Sequence, residues 1–390
     1  MTSEERHEAR FQRRKAKRDA RKAELNKKYG DFDKATSYKT LHKIYYKCRL
    51  GTSWKGSVQK YGIDLMRNTL LIHDMMTSGA DTFKGFYSFD VCERGKIRHI
   101  RSVHISERCI QKAICTTSLV PMLQNSFIYD NGASQKGKGT SFALDRMTEY
   151  LHKYYRYHKD NEGYVLKLDF KGYFDNIDHD EIVKIIDHFF IDKRYVDYIR
   201  QTIQHYGVKG LGLGSEENQI LAMAFPNEFD HWIKTVKRII PYVRYCDDSI
   251  IIVRTKEEAK KLLAESREYL KQYKIDLNEK KTQIVKLSHG FTFLQLKFNL
   301  TNTGKVIRRP CRNKIVRERR KLKRLYRLYA KGELDREILE NQYKTWRGQF
   351  RIKQKTIRAH PYRIKQRHIN VYRTVQNMDG FYNSLFKEGQ

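Results

Sequence analysis

The segment YVRYCDDSIIIV, residues 242–253, decides the fold of the region around it. Its two apolar runs predict a pair of β-strands, and Cys246, Asp247 and Asp248 predict a tight acidic turn between them. Two adjacent carboxylates at the tip of an apolar hairpin repel each other, and a bound cation removes that repulsion. Oxygen ligands of this kind suit Mg²⁺. The segment therefore favours a metal site over the alternative, an ordinary Asp-Asp turn.

A third carboxylate, Asp169, ends the apolar run VLKLDF and precedes Asp247 by 78 residues. A carboxylate at the end of one strand, beside a carboxylate pair at a hairpin tip, can hold two divalent ions about 3.5–4 Å apart. Such ions activate an attacking hydroxyl and neutralise a leaving group in an in-line displacement. Together the three residues predict a centre for phosphoryl or nucleotidyl transfer.

The surrounding pattern predicts an α+β fold. The stretches DEIVKIIDHFF and EEAKKLLAESREYLKQY have helical periodicity, whereas GYVLKLDF and the residues around GFTFLQLKFNL read as strands. This order predicts a small sheet with helices on one face. Upstream, from Tyr38 to about Tyr155, helices are interrupted by a hairpin whose turn is supplied by Gly95.

The charge of the chain indicates a polyanionic partner. Lys and Arg exceed Asp and Glu by 34 in 390 residues, and such a field attracts nucleic acid. Residues 301–390 hold 25 Lys and Arg against 7 Asp and Glu, with aromatic residues between them. Cations and rings together are typical of a nucleic-acid grip, with a solvated basic helix pair as the alternative. Residues 1–30 read as an exposed basic helix or a mobile arm.

Other classes of protein fit less well. An anionic membrane surface would also attract the charge, but no apolar run approaches the roughly 20 residues of a membrane span. The N-terminus is charged from Glu4 onward, so we expect no secretory signal. The six cysteines have no zinc-ligand spacing, which predicts reduced thiols and a cytoplasmic protein.

These motifs resemble those of a known family. LKLDFKGYFDNIDHD followed by YCDD is similar to motifs A and C of reverse transcriptases, especially the prokaryotic group that includes group II intron, diversity-generating and defence-associated enzymes. Further matches follow in the family's order: ERGKIRHI, SERCIQKAI and GASQKGKGTSFAL for the fingers, GLGLGSEENQILAMAFPNEFD for motif B, LNEKKTQI for motif D and FTFLQLKF for motif E. The resemblance covers roughly residues 40 to 350.

The resemblance implies a right-hand polymerase of α+β class. Its expected parts are a basic N-terminal arm over residues 1–30, fingers over 31–160, a palm over 161–300 and a basic helical thumb over 301–390. The palm would hold a small antiparallel sheet with helices. Because the chain ends soon after the thumb, we expect neither an appended endonuclease nor an RNase H domain.

The resemblance also assigns roles to individual residues. The implied catalytic residues are Asp169, Asp247, Asp248 and Lys281, the last lying near the departing pyrophosphate. The implied metal site comprises Asp169, Phe170, Asp247 and Asp248. The implied nucleotide-binding residues are Lys96, Arg98, Phe174, Gly214, Asn218 and Gln219, with Phe174 as the gate against a 2′-hydroxyl. In the thumb the predicted nucleic-acid contacts are Arg324, Arg327, Trp346 and Arg347.

Three departures from the family pattern stand out. Many relatives begin motif B with Pro-Gln-Gly, where this chain has Gly212-Leu213-Gly214. A serine common a few positions later is replaced by Asn218, and a frequent motif E glycine is replaced by Gln295. These changes concern template contact and leave the metal ligands unchanged.

The predicted function is RNA-directed DNA synthesis, in which dNTPs are added to a 3′-hydroxyl with two Mg²⁺ ions, or Mn²⁺ in their place. The expected partners are a structured non-coding RNA template, an RNA/DNA duplex product, and a second protein or another copy of the chain. An RNA-dependent RNA polymerase is the nearest alternative, but those enzymes often carry a carboxylate where this chain has Phe174. A binding module without catalysis is the other alternative, and no carboxylate is missing. Within the family, anti-phage defence is favoured over a diversity-generating role.

Overall fold

The computed structural model describes residues 2–93, 96–348 and 374–386. The turn predicted at Gly95 lies outside these residues. The chain divides into two units, with residues 1–137, 170–238 and 265–278 in the first and residues 138–169, 239–264 and 279–390 in the second.

The first unit is mainly helical and carries one antiparallel two-stranded sheet. Its helices are α1 (Ser3–Tyr29), α2 (Phe32–Thr36), α3 (Tyr38–Cys48), α4 (Gly56–Ile63), α5 (Leu65–Ser78), α6 (Ile105–Ile114), α7 (Val120–Gln124), α9 (His179–Phe189), α10 (Arg194–Gln204), α11 (Glu216–Ala224) and α12 (Asn227–His231). Its strands are β1 (Tyr87–Glu93) and β2 (Lys96–Ser102), which confirm the predicted hairpin.

Helix α1 has an N-cap at Thr2, whose side chain and that of Glu5 form a capping box. None of its 27 residues is buried, so it agrees with the predicted exposed basic helix.

Helix α9 shows why the predicted palm helices form. Asp178 caps its first turn, and Ile182 and Ile186, one turn apart, are buried.

The second unit contains two antiparallel sheets and the C-terminal helices. Its helices are α8 (Thr140–His158), α13 (Lys256–Lys271, which passes into the first unit at Glu265), α14 (Arg312–Ala330), α15 (Arg336–Gly348) and α16 (374–385). Its strands are β3 (Tyr164–Asp169), β4 (Tyr242–Tyr245), β5 (Asp248–Val253), β6 (Gln283–Lys286), β7 (Phe291–Phe293), β8 (Leu296–Leu300) and β9 (Val306–Pro310).

Strands β4, β5, β3 and β6 lie side by side in that order, and β7, β8 and β9 form the second sheet. Apolar side chains from β3, β5 and β8 share one buried core with α8, including Val165, Ile250, Phe298, Met147 and Leu151. This core holds the ends of β3 and β5 in place, where the acidic residues lie.

Among the described residues, no helix is both long and apolar enough to cross a bilayer.

Glu217 is one of several ionisable side chains buried in the first unit. Glu217, near the start of α11, has no exposed surface, and the Tyr198 hydroxyl donates a 2.8 Å hydrogen bond to its Oε2. Its Oε1 has no hydrogen-bond partner in the described part of the chain. Burial raises the pKa of Glu217 to about 7 because the charged form loses hydration.

We predict that Glu217 makes the protein less stable as pH rises. The folded carboxyl keeps its proton up to about pH 7, whereas the unfolded one loses it near its ordinary value of 4.5, so unfolding becomes easier across this window. The loss approaches about 3 kcal/mol by pH 8. Glu217→Gln should remove this dependence in denaturant titrations at pH 4.5 and pH 8. Curves of unfolding free energy against pH that run parallel in the two proteins would contradict the prediction.

Candidate active site

The acidic turn reverses the chain within two residues. Tyr245 at the end of β4 pairs with Asp248 at the start of β5, which leaves only Cys246 and Asp247 in the turn. Cys246 adopts a φ of 56°, in the left-handed region that non-glycine residues seldom occupy. The fully buried Arg244 side chain donates a 3.1 Å hydrogen bond from Nη1 to the Cys246 carbonyl and so supports this conformation.

Asp169 and Asp248 lie directly opposite each other. The antiparallel register of β3 and β5 pairs these two residues, each at the end of its strand nearest the turn. Side chains of directly opposed residues point to the same face, about 5 Å apart at Cβ. Asp169 is only 6% exposed. The sheet therefore brings two of the three predicted carboxylates together, with Asp247 adjoining in the turn.

The environment of Asp248 disfavours its negative charge. The pKa of Asp248 is raised to about 6. Burial is the largest cause, Lys167 acts against it, and the charges of Asp247 and Asp169 raise the pKa further. Lys167 Nζ lies 3.2 Å from Oδ1 and donates a 3.4 Å hydrogen bond to Oδ2. Within the described residues the buried Oδ1 accepts no hydrogen bond. Oδ1 thus has an ammonium within ion-pair distance but no hydrogen bond, and it lies among carboxylates that repel it.

Lys281, in the turn before β6, neutralises Asp169. Its Nζ lies 3.1 Å from Oδ1 and 3.2 Å from Oδ2 of that carboxylate. The Lys281 side chain is 61% exposed, so it can leave the carboxylate without disturbing the core. The structure therefore groups Lys281 with the acidic residues, and its role at the departing pyrophosphate stays a prediction.

The donor set suits a hard divalent cation. Carboxylate oxygens from opposed strands, one of them buried without a hydrogen-bond partner, are the type of ligand that Mg²⁺ and Mn²⁺ accept. The carboxylates are turned to the two lysines, however, and among the described residues no three His, Cys, Asp or Glu side chains converge as a metal site. Binding of an ion would require Asp169 to exchange Lys281 for it.

Phe170 and Phe174 follow Asp169 along the chain and belong to the first unit. Phe170 is buried, 2% exposed, and pairs with Leu277 through an isolated β-bridge. Gly172, with a φ of 52°, leads into a short 3-10 turn over Tyr173–Asn176. Tyr173 is buried and its hydroxyl donates to the Ala222 carbonyl, whereas Phe174 is half-buried. The Tyr173 ring therefore lies in the core, and the half-buried Phe174 ring meets it edge-on, with the ring centroids 5.7 Å apart.

Two side chains, Asn218 and Tyr206, support the loop around Gly212 at the start of motif B. Asn218 is fully buried, and its Nδ2 donates a 2.8 Å hydrogen bond to the Gly212 carbonyl. This corrects the nucleotide-contact role predicted for Asn218, because its side chain supports the loop. The Tyr206 ring packs so closely that a Cβ at Gly212 would lie 2.0 Å from it. A glycine is required there.

Gly214 and Gln219 lie at the exposed side of the same loop and helix. Gly214 has a φ of 116°, and a Cβ on it would lie 3.3 Å from Ile100 of β2. An isolated bridge pairs Ile100 with Leu213. The loop is thereby joined to the strand that carries Lys96 and Arg98. Arg98 is exposed, and Lys96 is the first residue of β2.

The predicted thumb contacts divide into two groups. Arg324 and Arg327 are exposed on α14. Arg347 pairs with Asp379, its Nε 3.1 Å from Oδ1. Trp346 is 5% exposed and packs in a core with residues that include Leu322, so its predicted stacking on nucleic acid is corrected to a structural role.

Two ionisable residues, one beside the site and one in the core of the first unit, were missed from the sequence. Lys167 stands two residues before Asp169, and alternation along a strand puts both on one face. A polar residue within the apolar run VLKLD was the signal available. Glu217 gave no signal, because charged residues in the first turn of a helix are usually solvated.

The chain belongs to the reverse transcriptase family. The model of the family described as reverse transcriptase (RNA-dependent DNA polymerase) matches residues 81–298, more than half of the chain. Membership confirms the predicted family and its α+β right-hand polymerase fold class. The predicted class of enzyme, an RNA-directed DNA polymerase, agrees with the description of this family.

Individual relatives are distant. Protein YkfC of Escherichia coli (strain K12) is 25% identical over an alignment that covers 34% of this chain and 45% of YkfC. Apo telomerase from Candida tropicalis is 15% identical, with 58% of this chain and 48% of that one covered and a TM-score of 0.45. Telomerase from Candida albicans in complex with a fragment of telomeric RNA is 12% identical, with 80% and 62% covered and a TM-score of 0.46. The chain thus spans less than half the length of the first two.

Proposed function

We propose that this protein is an RNA-directed DNA polymerase that adds dNTPs to a 3′-hydroxyl, with its reaction centre at Asp169, Asp247 and Asp248. The observation that carries this proposal is the register of β3 and β5, which sets Asp169 directly opposite Asp248 beside Asp247 in the turn. Opposed carboxylates destabilise a sheet unless a cation lies between or beside them. An arrangement that costs stability is retained where chemistry requires it.

Asp169 and Asp248, with Asp247 adjoining, would hold Mg²⁺, or Mn²⁺ in its place, and the carbonyl of Phe170 is the further ligand proposed. When bound, the ions supply charge that activates the 3′-hydroxyl and neutralises the leaving pyrophosphate. Before the ions bind, Lys281 neutralises the charge of Asp169. Once an ion takes its place, the exposed Lys281 side chain can turn to the pyrophosphate. Lys167 remains beside Asp248 and limits the repulsion among the carboxylates.

The proposed template is a structured non-coding RNA, and the proposed product is an RNA/DNA duplex. The charge of +34 supports a polyanionic partner. The resemblance to prokaryotic enzymes supports a cytoplasmic role in anti-phage defence or a related element, with a second protein or another copy of the chain as a further partner. Sequencing the nucleic acid that copurifies with the chain tests the proposed template.

We predict that Asp169→Asn and Asp247→Asn each abolish dNTP incorporation and leave RNA binding within about twofold of wild type. Each change removes a ligand charge and keeps the size of the side chain. Primer extension in Mg²⁺ and in chelator, together with RNA binding by fluorescence anisotropy, measures both effects. Normal incorporation by either purified variant would refute the proposed centre.

We also predict that Phe174 excludes ribonucleotides. An apolar ring beneath the sugar leaves a buried 2′-hydroxyl without a partner, at about 1–3 kcal/mol, and steric overlap adds to this. Phe174→Val should therefore lower the ratio of kcat/KM for dGTP over GTP by about a hundredfold. Tyr173→Phe is the matched control, because its ring stays in the core and only the hydroxyl is lost.

An unchanged ratio in Phe174→Val would remove this residue from sugar selection. A wild-type preference for GTP would transfer the proposal to RNA-dependent RNA synthesis.

A further inference from the structure

A basic surface lies on the first unit, upstream of the segment that matches the family. Residues 38–60 contain six Lys and Arg and no Asp or Glu. They form α3, the loop after it and the start of α4, and they precede residues 81–298. Within this segment the buried residues of α3 are Leu41, Ile44, Tyr45 and Cys48. The opposite side of the helix faces solvent.

Rings and cations alternate along that exposed side. Tyr38 and His42 stack with their ring centroids 5.7 Å apart, and His42 meets Tyr46 edge-on at 5.4 Å. These three rings follow each other at intervals of four residues, which places them in one row on a helix. The residue after each ring is an exposed lysine: Lys39, Lys43 and Lys47. A row of rings therefore runs beside a row of cations.

The loop after α3 continues the same composition. Trp54 is 73% exposed, which is unusual for the largest apolar side chain, and Tyr46 is 48% exposed. Lys55 Nζ lies 5.6 Å from the centre of the Trp54 ring, and the Arg49 guanidinium lies 5.8 Å from that of Tyr46. Each exposed ring thus has a cation beside it, and its edge and outer surface remain in solvent.

A basic cavity adjoins this surface. Lys47 and Lys55 line it together with Arg101, Arg108 and Lys112. The acidic residue in its lining, Glu216, is ion-paired with Lys112. The cavity has a volume of about 410 Å³, within the range of sites that hold one small ligand. The cavity and the exposed rings therefore offer phosphate and base contacts side by side.

We infer that α3 and the following loop bind single-stranded nucleic acid, with Tyr46 and Trp54 stacking on unpaired bases and the lysines contacting phosphates. Every base has a face that an aromatic ring can cover, whereas bases within a duplex are already stacked. Six cations without an acidic residue among them would suit a protein partner only if the surface of that partner were acidic. The inference deepens the proposed function, on which it rests, by naming where an unpaired stretch of RNA is held.

The test uses the full chain and a labelled 12-nucleotide single-stranded RNA without internal pairing, with fluorescence anisotropy as the readout and no nucleotide present. We expect Tyr46→Ala and Trp54→Ala each to weaken binding roughly 5- to 150-fold. Tyr46→Phe and Trp54→Phe should bind like wild type, because the ring is kept. Tyr129→Ala is the matched control, since Tyr129 is 65% exposed but is followed by Asp130.

A second arm tests the cations. Lys47→Gln with Lys55→Gln should reduce the slope of log K against log salt by roughly 1.4, the release of about two counterions from a single strand. Lys184→Gln, an exposed lysine that is ion-paired with Glu181, should leave the slope unchanged.

Wild-type affinity in the two ring variants would overturn the inference and leave the surface to a protein partner. An equal loss for a blunt RNA duplex would also overturn it, because stacking requires unpaired bases. Failure of the wild-type chain to incorporate nucleotides would refute the proposed function alone, since binding is measured without synthesis.

Discussion

The opposition of Asp169 and Asp248 across two hydrogen-bonded strands is the constraint on which the second unit is organised. Like charges at directly paired positions weaken a sheet, and burial strengthens their repulsion. The unit offsets this cost with Lys167 beside one carboxylate and Lys281 beside the other. It also anchors both strands in an apolar core shared with α8. A divalent cation that bound between these carboxylates would remove their repulsion and so stabilise the folded unit.

Three of the four described non-glycine residues with positive φ in this unit lie in two of its hairpin turns, and the fourth, Lys159, follows α8. Cys246, before the paired aspartates, has a φ of 56°. Leu294 and Gln295, between β7 and β8, have φ values of 44° and 73°. Two consecutive residues of positive φ are typical of a two-residue turn that normally contains Asn or Gly. Gln295 stands where many relatives carry glycine, so this chain keeps the turn and accepts the strain. Such outliers occur most often where geometry serves function.

Much of this site could be predicted from the sequence because it depends on local pattern. Short apolar runs predict β3 and β5, and two carboxylates at a tight turn indicate a cation. Trp346 and Asn218 could not be read correctly, because their burial depends on packing partners far along the chain or on the path of a loop. Their local surroundings are basic or polar, so each looked like a contact for ligand. The domain boundaries remain predictions.

Anomalous diffraction from Mn²⁺ can show whether a divalent ion binds at Asp169, Asp247 and Asp248. Crystals of the full chain would be soaked in Mn²⁺ with a primer–template and a non-hydrolysable dNTP analogue. We expect anomalous peaks within about 2.5 Å of carboxylate oxygens of Asp169 and of the Asp247-Asp248 turn, with Lys281 displaced from Asp169. Peaks elsewhere, with the Lys281–Asp169 ion pair intact in the complex, would contradict it.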